Sequence, residues 1–272
     1  MPFWLELAGA VAMTVTGGSA CTLTTGVCKT ALMSQPAFTA DPTQGRVFRT
    51  SRVVRSVDVT PAGRLRFDAM ARYLQQAAED DLADAAWAEP YTWLVRRTSV
   101  AVHGYPAHRD RVQLRTFCSA TGPRWAERTT TVAGPGGDLV QAVAVWVAIN
   151  AADGRPVPLG DVFDRIYGPS TGGRRVSARL TQPDPPASAD GRAWPLRASD
   201  FDTAGHVNNS IHWAAVEDVL AGLDWLPSRA ELEYHRPVLP GHDPRLLTER
   251  ADGQLSVWLC HDGERLASAV LR

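Results

Sequence analysis

The stretch SDFDTAGHVNNSIHWAAVEDVL, residues 199–220, decides how the chain is read. Its second part carries Ile211, Ala215, Val216, Val219 and Leu220 at three-and-four spacing, with Leu223 just beyond. That spacing predicts a helix from about Asn208 to Leu223 with one apolar face. The mouth of this helix is polar, holding Asp200, Asp202, Gly205, His206, Asn208 and Asn209. Asp, Asn and Gly favour turns and N-caps, and a turn at Asp202 with a cap at Asn208 accounts for the backbone with no chemistry at all. The same residues also suit a reaction at a carbonyl. A helix N-terminus offers unpaired N–H groups and the positive end of a dipole, which stabilise negative charge developing on an oxygen. Gly205, His206 and Val207 precede that terminus, and Gly205, lacking a Cβ, lets the backbone approach closely. Asp202 is placed to attack the carbonyl itself or to deprotonate a water.

Upstream, VDVTPAGRLRFDAMARYLQQAAED has the same organisation. Aligning the two helix mouths pairs Asp58 with Asp200, Thr60 with Asp202 and Gly63 with Gly205, at a constant offset of 142 residues (202 − 60). The upstream helix shows Phe67, Met70, Ala71, Leu74, Ala78 and Leu82 on one face. After it come WLVRRTSVAVHGY, RVQLRTFCSA, WAERTTTVAG and DLVQAVAVWVAIN, strand-like runs separated by PAHRD, TGP and GPGGD turns, an antiparallel hairpin pattern. Downstream, WPLRASDF reads as a strand before the second helix, and AELEYHRPVL, RLLTERAD, QLSVWLCHD and RLASAVLR as strands after it. The expectation is a duplication: residues 1–46 an extension outside the fold, 47–168 a first copy, 169–193 a Gly/Pro/Ser-rich linker and 194–272 a second copy. Thr60 cannot act as a base, so the first copy is expected to bind and the second to react.

Of the 272 residues 44% are hydrophobic and 21% charged, and 28 cations against 29 anions give a formal charge of −1, which supplies no global field for nucleic acid or a membrane surface. The N-terminal FWLELAGAVAMTVTGGSAC is apolar, but Glu6 stands where a signal peptide needs a cation and Lys29 is the first one, so export is not expected. No later segment has the roughly 18 or more uninterrupted apolar residues of a membrane span. Cys21, Cys28, Cys118 and Cys260 form no CxxC pair, and His212, His235 and His242 show no zinc spacing; neither a metal nor another cofactor is implied. Cys118 and Cys260 are expected as buried free thiols.

DFDTAGHVNN, followed by a helix and the strand LEYHRP, resembles the second half of the plant and bacterial acyl-ACP thioesterases. WLVRRTSVAVHGYPAHRDRVQLRTFCSATG and AVAVWVAIN are similar to that family's first half, so the likeness covers about Phe48 to Arg272. It implies an α+β fold, a tandem or double hotdog in which each half is a long helix wrapped by a curled antiparallel sheet. It also implies a cytoplasmic enzyme of fatty acid metabolism that releases a fatty acid from acyl carrier protein or CoA. Carried over residue by residue, Asp202 and His206 are the catalytic candidates, and Gly205, Val207, Asn208 and Asn209 the substrate-binding ones. Three positions depart from the family pattern: its catalytic asparagine falls on Ala204, and its Glu-Cys pair on Pro237 and Val238. DFDTAGHVNN is also similar to the single-hotdog thioesterases of the 4-hydroxybenzoyl-CoA type, whose loop needs only the second aspartate. Two alternatives stay open, a non-catalytic acyl-binding double hotdog and a hotdog dehydratase or hydratase; so does a homodimer.

Overall fold

The structure, a computed structural model, describes residues 38–272. The first 37 residues, most of the expected extension, lie outside the described residues. The elements run β1 (Phe48–Val53), α1 (Phe67–Asp84), β2 (Tyr91–Val102), β3 (Arg111–Thr121), β4 (Trp125–Gly134), β5 (Gly137–Asn150), α2 (Gly160–Tyr167), β6 (Asp190–Ala193), α3 (Asn209–Leu220), β7 (Arg229–Tyr234), β8 (Arg245–Ala251), β9 (Gln254–His261) and β10 (Glu264–Leu271). The strands make one antiparallel sheet in the order β1-β3-β4-β5-β2-β7-β10-β9-β8-β6. Outward from the central β2–β7 seam, the order β2-β5-β4-β3-β1 on one side matches β7-β10-β9-β8-β6 on the other. The duplication expected from the sequence is therefore a duplication of topology. The seam itself pairs Arg97 with Glu233 through Ala101 with Arg229. This is the expected α+β double hotdog.

Each strand turns alternate residues inward, and helices α1 and α3 lie together on that apolar face. Phe67 stacks on Trp213 between them, with ring centroids 5.6 Å apart. Leu65, Phe67, Met70, Leu114, Trp213, Val216, Leu232 and Leu266 are all buried in this one core. Burying each such large side chain contributes about 1.5–3 kcal/mol, so the shared core binds the halves together.

Two expectations need correction, and two features were not anticipated. Residue 46 is not outside the fold: Arg46 reaches α1, its Nε 2.5 Å from Asp81 Oδ1 and its Nη2 bonded to Asp84. Asp81 is fully buried and also meets Arg128 at 2.7 Å, so Arg46 belongs to a buried charge cluster. The linker is held down as a strap, because Thr181 and Gln182 donate their N–H groups to the buried Glu233 carboxylate on the outer face of β7, at 2.8 and 3.1 Å. WPLRASDF is not a strand. The strand pairing with β8 is β6, just before it, and Ala198–Asp200 form a 3-10 turn, so the second copy begins earlier than residue 194. Helix α2 was not anticipated, though Phe163, Ile166 and Tyr167 between Gly160 and Gly168 carry a short helical signal.

Candidate active site

The helix mouth is built twice, bond for bond. In the first copy Thr60 N–H donates to Arg64 O, Gly63 N–H to Thr60 O and Arg66 N–H to Asp58 O, at 2.8, 2.8 and 3.0 Å. In the second copy Asp202 N–H donates to His206 O, Gly205 N–H to Asp202 O and Asn208 N–H to Asp200 O, at 2.9, 3.0 and 2.8 Å. Asp58 and Asp200 each accept the backbone N–H three residues earlier, from Arg55 and Arg197. Gly63 and Gly205 share a left-handed φ, +84° and +75°. A Cβ on Gly205 would meet no protein atom within 4 Å, so within the fold itself this glycine answers to its left-handed φ.

What differs is the side chains. Asp202, half-buried, accepts the Ala204 N–H at 2.9 Å through Oδ1 and Asn208 Nδ2 at 3.3 Å through Oδ2. Asn208 is the N-cap as well: its Oδ1 accepts the Ser210 N–H at 3.0 Å and the Ser210 hydroxyl at 2.8 Å. One asparagine thus closes the helix and holds the carboxylate. Thr60 makes the equivalent turn without a carboxylate, and its hydroxyl is buried without a partner. The turn does not require the aspartate.

Of the three backbone amides singled out in the sequence, that of His206 has no acceptor among the described residues, and the other two are taken. Val207 N–H donates to Val238 O at 2.9 Å and Gly205 N–H to Asp202 O, so both are committed. Among the described residues no acceptor takes the N–H of Asn209, the first residue of α3. Its carbonyl accepts from the Tyr234 hydroxyl at 3.3 Å, which in turn accepts from Trp213 Nε1 at 3.1 Å. His212 Nδ1 lies 3.2 Å from Asn208 O, and burial pushes this imidazole down to about 4, so it is neutral and braces the first turn as a donor. His206, half-buried, has no side-chain partner among the described residues and does not line the cavity described next.

Asp202 and Asn209 close one end of a cavity of about 260 Å³ whose remaining wall belongs to the first half. Gln75, Ala78, Glu79 and Leu82 give it a stripe of α1 about 10 Å long, at 1.5 Å per residue. Trp93, Cys118, Ala126, Trp146, Phe163 and Tyr167 supply most of the apolar surface, and Arg128 of the buried charge cluster also faces it. The site is therefore composite, with the polar mouth from one copy and the chamber from the other. Burial raises the Cys118 thiol to about 12, which makes it inert at neutral pH. Gln75 and Glu79 escaped the sequence reading because they lie 127 and 123 residues from Asp202 (202 − 75 and 202 − 79) and carry no local motif.

Comparison with known proteins accords with this architecture. Residues 45–167 match the acyl-ACP thioesterase N-terminal domain and residues 185–264 its C-terminal domain. An uncharacterised protein of Mycobacterium tuberculosis is 28% identical over 239 residues, 87% of this chain and 96% of its own. A chloroplastic palmitoyl-acyl carrier protein thioesterase of Gossypium hirsutum is 24% identical over 225 residues, 75% of this chain and 51% of its own. Among solved structures, the 12:0-ACP thioesterase from Umbellularia californica has a TM-score of 0.72 at 24% identity, covering 84% of this chain and 97% of that one. A putative oleoyl thioesterase from Lactobacillus plantarum has a TM-score of 0.72 at 16% identity, covering 84% and 96%. No helix of the described residues is long and apolar enough to cross a membrane. Matched by the family's models in both halves, the chain belongs to the acyl-ACP thioesterase family and is a thiolester hydrolase.

Proposed function

We propose that the protein hydrolyses fatty acyl thioesters of acyl carrier protein to a free fatty acid and the carrier thiol, with the Asp202 carboxylate as the attacking group or its base. One observation carries the reading: the same turn is built twice, and only the copy whose helix opens on the cavity holds a carboxylate. With Asp202 as base, water gives a proton to the carboxylate as its oxygen bonds to the carbonyl carbon. The tetrahedral oxyanion forms at the Asn209 N–H and collapses by breaking the C–S bond, and the departing sulfur takes the proton from Asp202. With Asp202 as nucleophile, an acyl anhydride forms first and water then cleaves it, with the same products.

His206 occupies the place of Arg64 in the repeat, and we read it as a group that turns toward the developing charge when substrate is bound. The first half holds the acyl chain. Acyl carrier protein is favoured as the carrier by the family and by the similarity to the acyl carrier protein thioesterases of Gossypium hirsutum and Umbellularia californica, with CoA thioesters as the second candidate. A cytoplasmic location is part of this reading, the enzyme working where its carrier thioester is made. The test is thiol release from acyl-ACP and acyl-CoA of graded chain length. Turnover of acyl-ACP is expected, and no release from any member of either series would overturn the proposal.

A further inference from the structure

We propose that Gln75, on α1, is a catalytic residue of the thioester site, its side-chain amide donating together with the Asn209 N–H to the developing oxyanion, and that Glu79 is the positioning residue that aims it. The proposal rests on the hydrolytic reading above and adds a donor from the other half of the molecule.

The repeat itself supplies the geometry. Adding 142 to Gln75 gives Glu217, and adding 142 to Phe67 gives Asn209. In the first copy Glu217 Oε2 accepts the Phe67 N–H at 3.0 Å, and Arg64 binds the same carboxylate through both of its Nη atoms. Glu217 is 7% exposed, so a side-chain oxygen paired to Arg64 is built into the mouth of α1. That oxygen marks where an oxyanion sits at such a helix start.

The second copy has the same frame with that oxygen left out. Residue 75 is a neutral amide, and instead of bonding Asn209 it turns its Nε2 to Glu79 Oε1, one helical turn on, at 3.0 Å. The Asn209 N–H is left free, and Gln75 and Asn209 together line both the main cavity, which Asp202 shares, and a small pocket of about 20 Å³ beside Trp213 and Tyr234. An amide nitrogen has two hydrogens. With one given to Glu79, the other serves the gap that Glu217 fills in the first copy.

The test uses the full chain, with circular dichroism and melting to establish folding, and has two readouts. Sodium laurate, a fatty acid anion of the product class, is titrated calorimetrically into the wild type, Gln75→Leu and Gln75→Glu. Binding is expected to weaken about tenfold or more in both variants, because leucine donates nothing and a carboxylate takes the Asn209 N–H as Glu217 takes that of Phe67. In turnover, loss of one oxyanion donor lowers kcat about 10²–10³-fold, and KM is expected to change little. Gln75→Glu serves if Gln75→Leu does not fold. Glu79→Ala is expected to lose about tenfold, and Glu79→Gln, whose amide oxygen still accepts from Gln75, to recover most of it. Folded Gln75 variants with unchanged laurate affinity and kcat would overturn the proposal while leaving an Asp202-dependent hydrolase standing. Loss at Gln75 with full activity in Asp202→Asn would do the reverse.

Discussion

Replacing Asp202 by asparagine separates the chemistry of the helix mouth from its architecture. The amide keeps one acceptor oxygen, so the 2.9 Å bond from Ala204 N–H survives. The other oxygen becomes an NH₂ group and no longer accepts from Asn208 Nδ2, but Asn208 stays anchored by Ser210. One hydrogen bond to a half-exposed group is lost, a cost of about 1 kcal/mol or a fall of about 2–4 °C in melting temperature for a chain of this size. The backbone tolerates the change, since Thr60 supports the identical turn in the first copy. The catalytic loss is larger. Removing a positioned base lowers the rate about 10²–10⁴-fold, or about 3–5 kcal/mol of barrier at 1.36 kcal/mol per decade. The barrier effect exceeds the stability effect several times over, so the variant should fold normally and release almost no carrier thiol. The assay is thiol release at saturating acyl-ACP with a parallel melt. A variant that melts within a few degrees of wild type and keeps more than about a tenth of its rate would refute the role given to Asp202.

Arg46→Met should lower stability by about 1–3 kcal/mol in urea unfolding, because among the described residues the buried Asp81 then keeps Arg128 alone as its ion-pair partner. Iodoacetamide followed by removal of the reagent should leave turnover intact, since Cys118 is 2% exposed with its thiol raised to about 12 and Cys260 is also raised by burial; inactivation prevented by substrate would place a reactive thiol in the site. Folding stability should fall with acidification. Burial holds His212 down to about 4, and burial together with Arg265 and Arg96 holds His235 down to about 3, so both bind protons more tightly when unfolded. Their stabilising contribution is complete above about pH 6.5, declines by up to about 1.4 kcal/mol per pH unit for each, and is lost as pH falls through the folded values. Urea midpoints measured from pH 7 to pH 4 check this, and His212→Asn should flatten the profile.

Much of the fold was legible because its signals are local. The period-two runs of β4 and β5, the three-and-four spacing of α1 and α3, and the glycines at 63 and 205 each report on a few neighbouring residues, and the 142-residue offset joins them into two copies. Asp202 and Asn208 stood out for the same reason. What escaped were elements whose stability is borrowed from elsewhere. β6 has four residues and no alternation, existing because β8 offers it a free edge, and the strap at 181–182 is ordered by a glutamate more than fifty residues downstream.

From the residues alone came two copies of a helix with an antiparallel sheet, their order, and a carboxylate at only one helix mouth, while the resemblance to a family implied that each copy is a hotdog. Backbone preferences and side-chain periodicity determine these within a short span of chain, whatever the distant partner. The tertiary structure decided which helix start is open. That depends on the residue the opposite helix brings to it, Glu217 sealing Phe67 in one half and Gln75 leaving Asn209 free in the other. It also decided that the chamber behind Asp202 is walled by α1, α2 and the first-half strands. Neither fact is written near the motif, because both arise from packing two helices about a pseudo-twofold axis, and the contacts that result join residues more than a hundred positions apart.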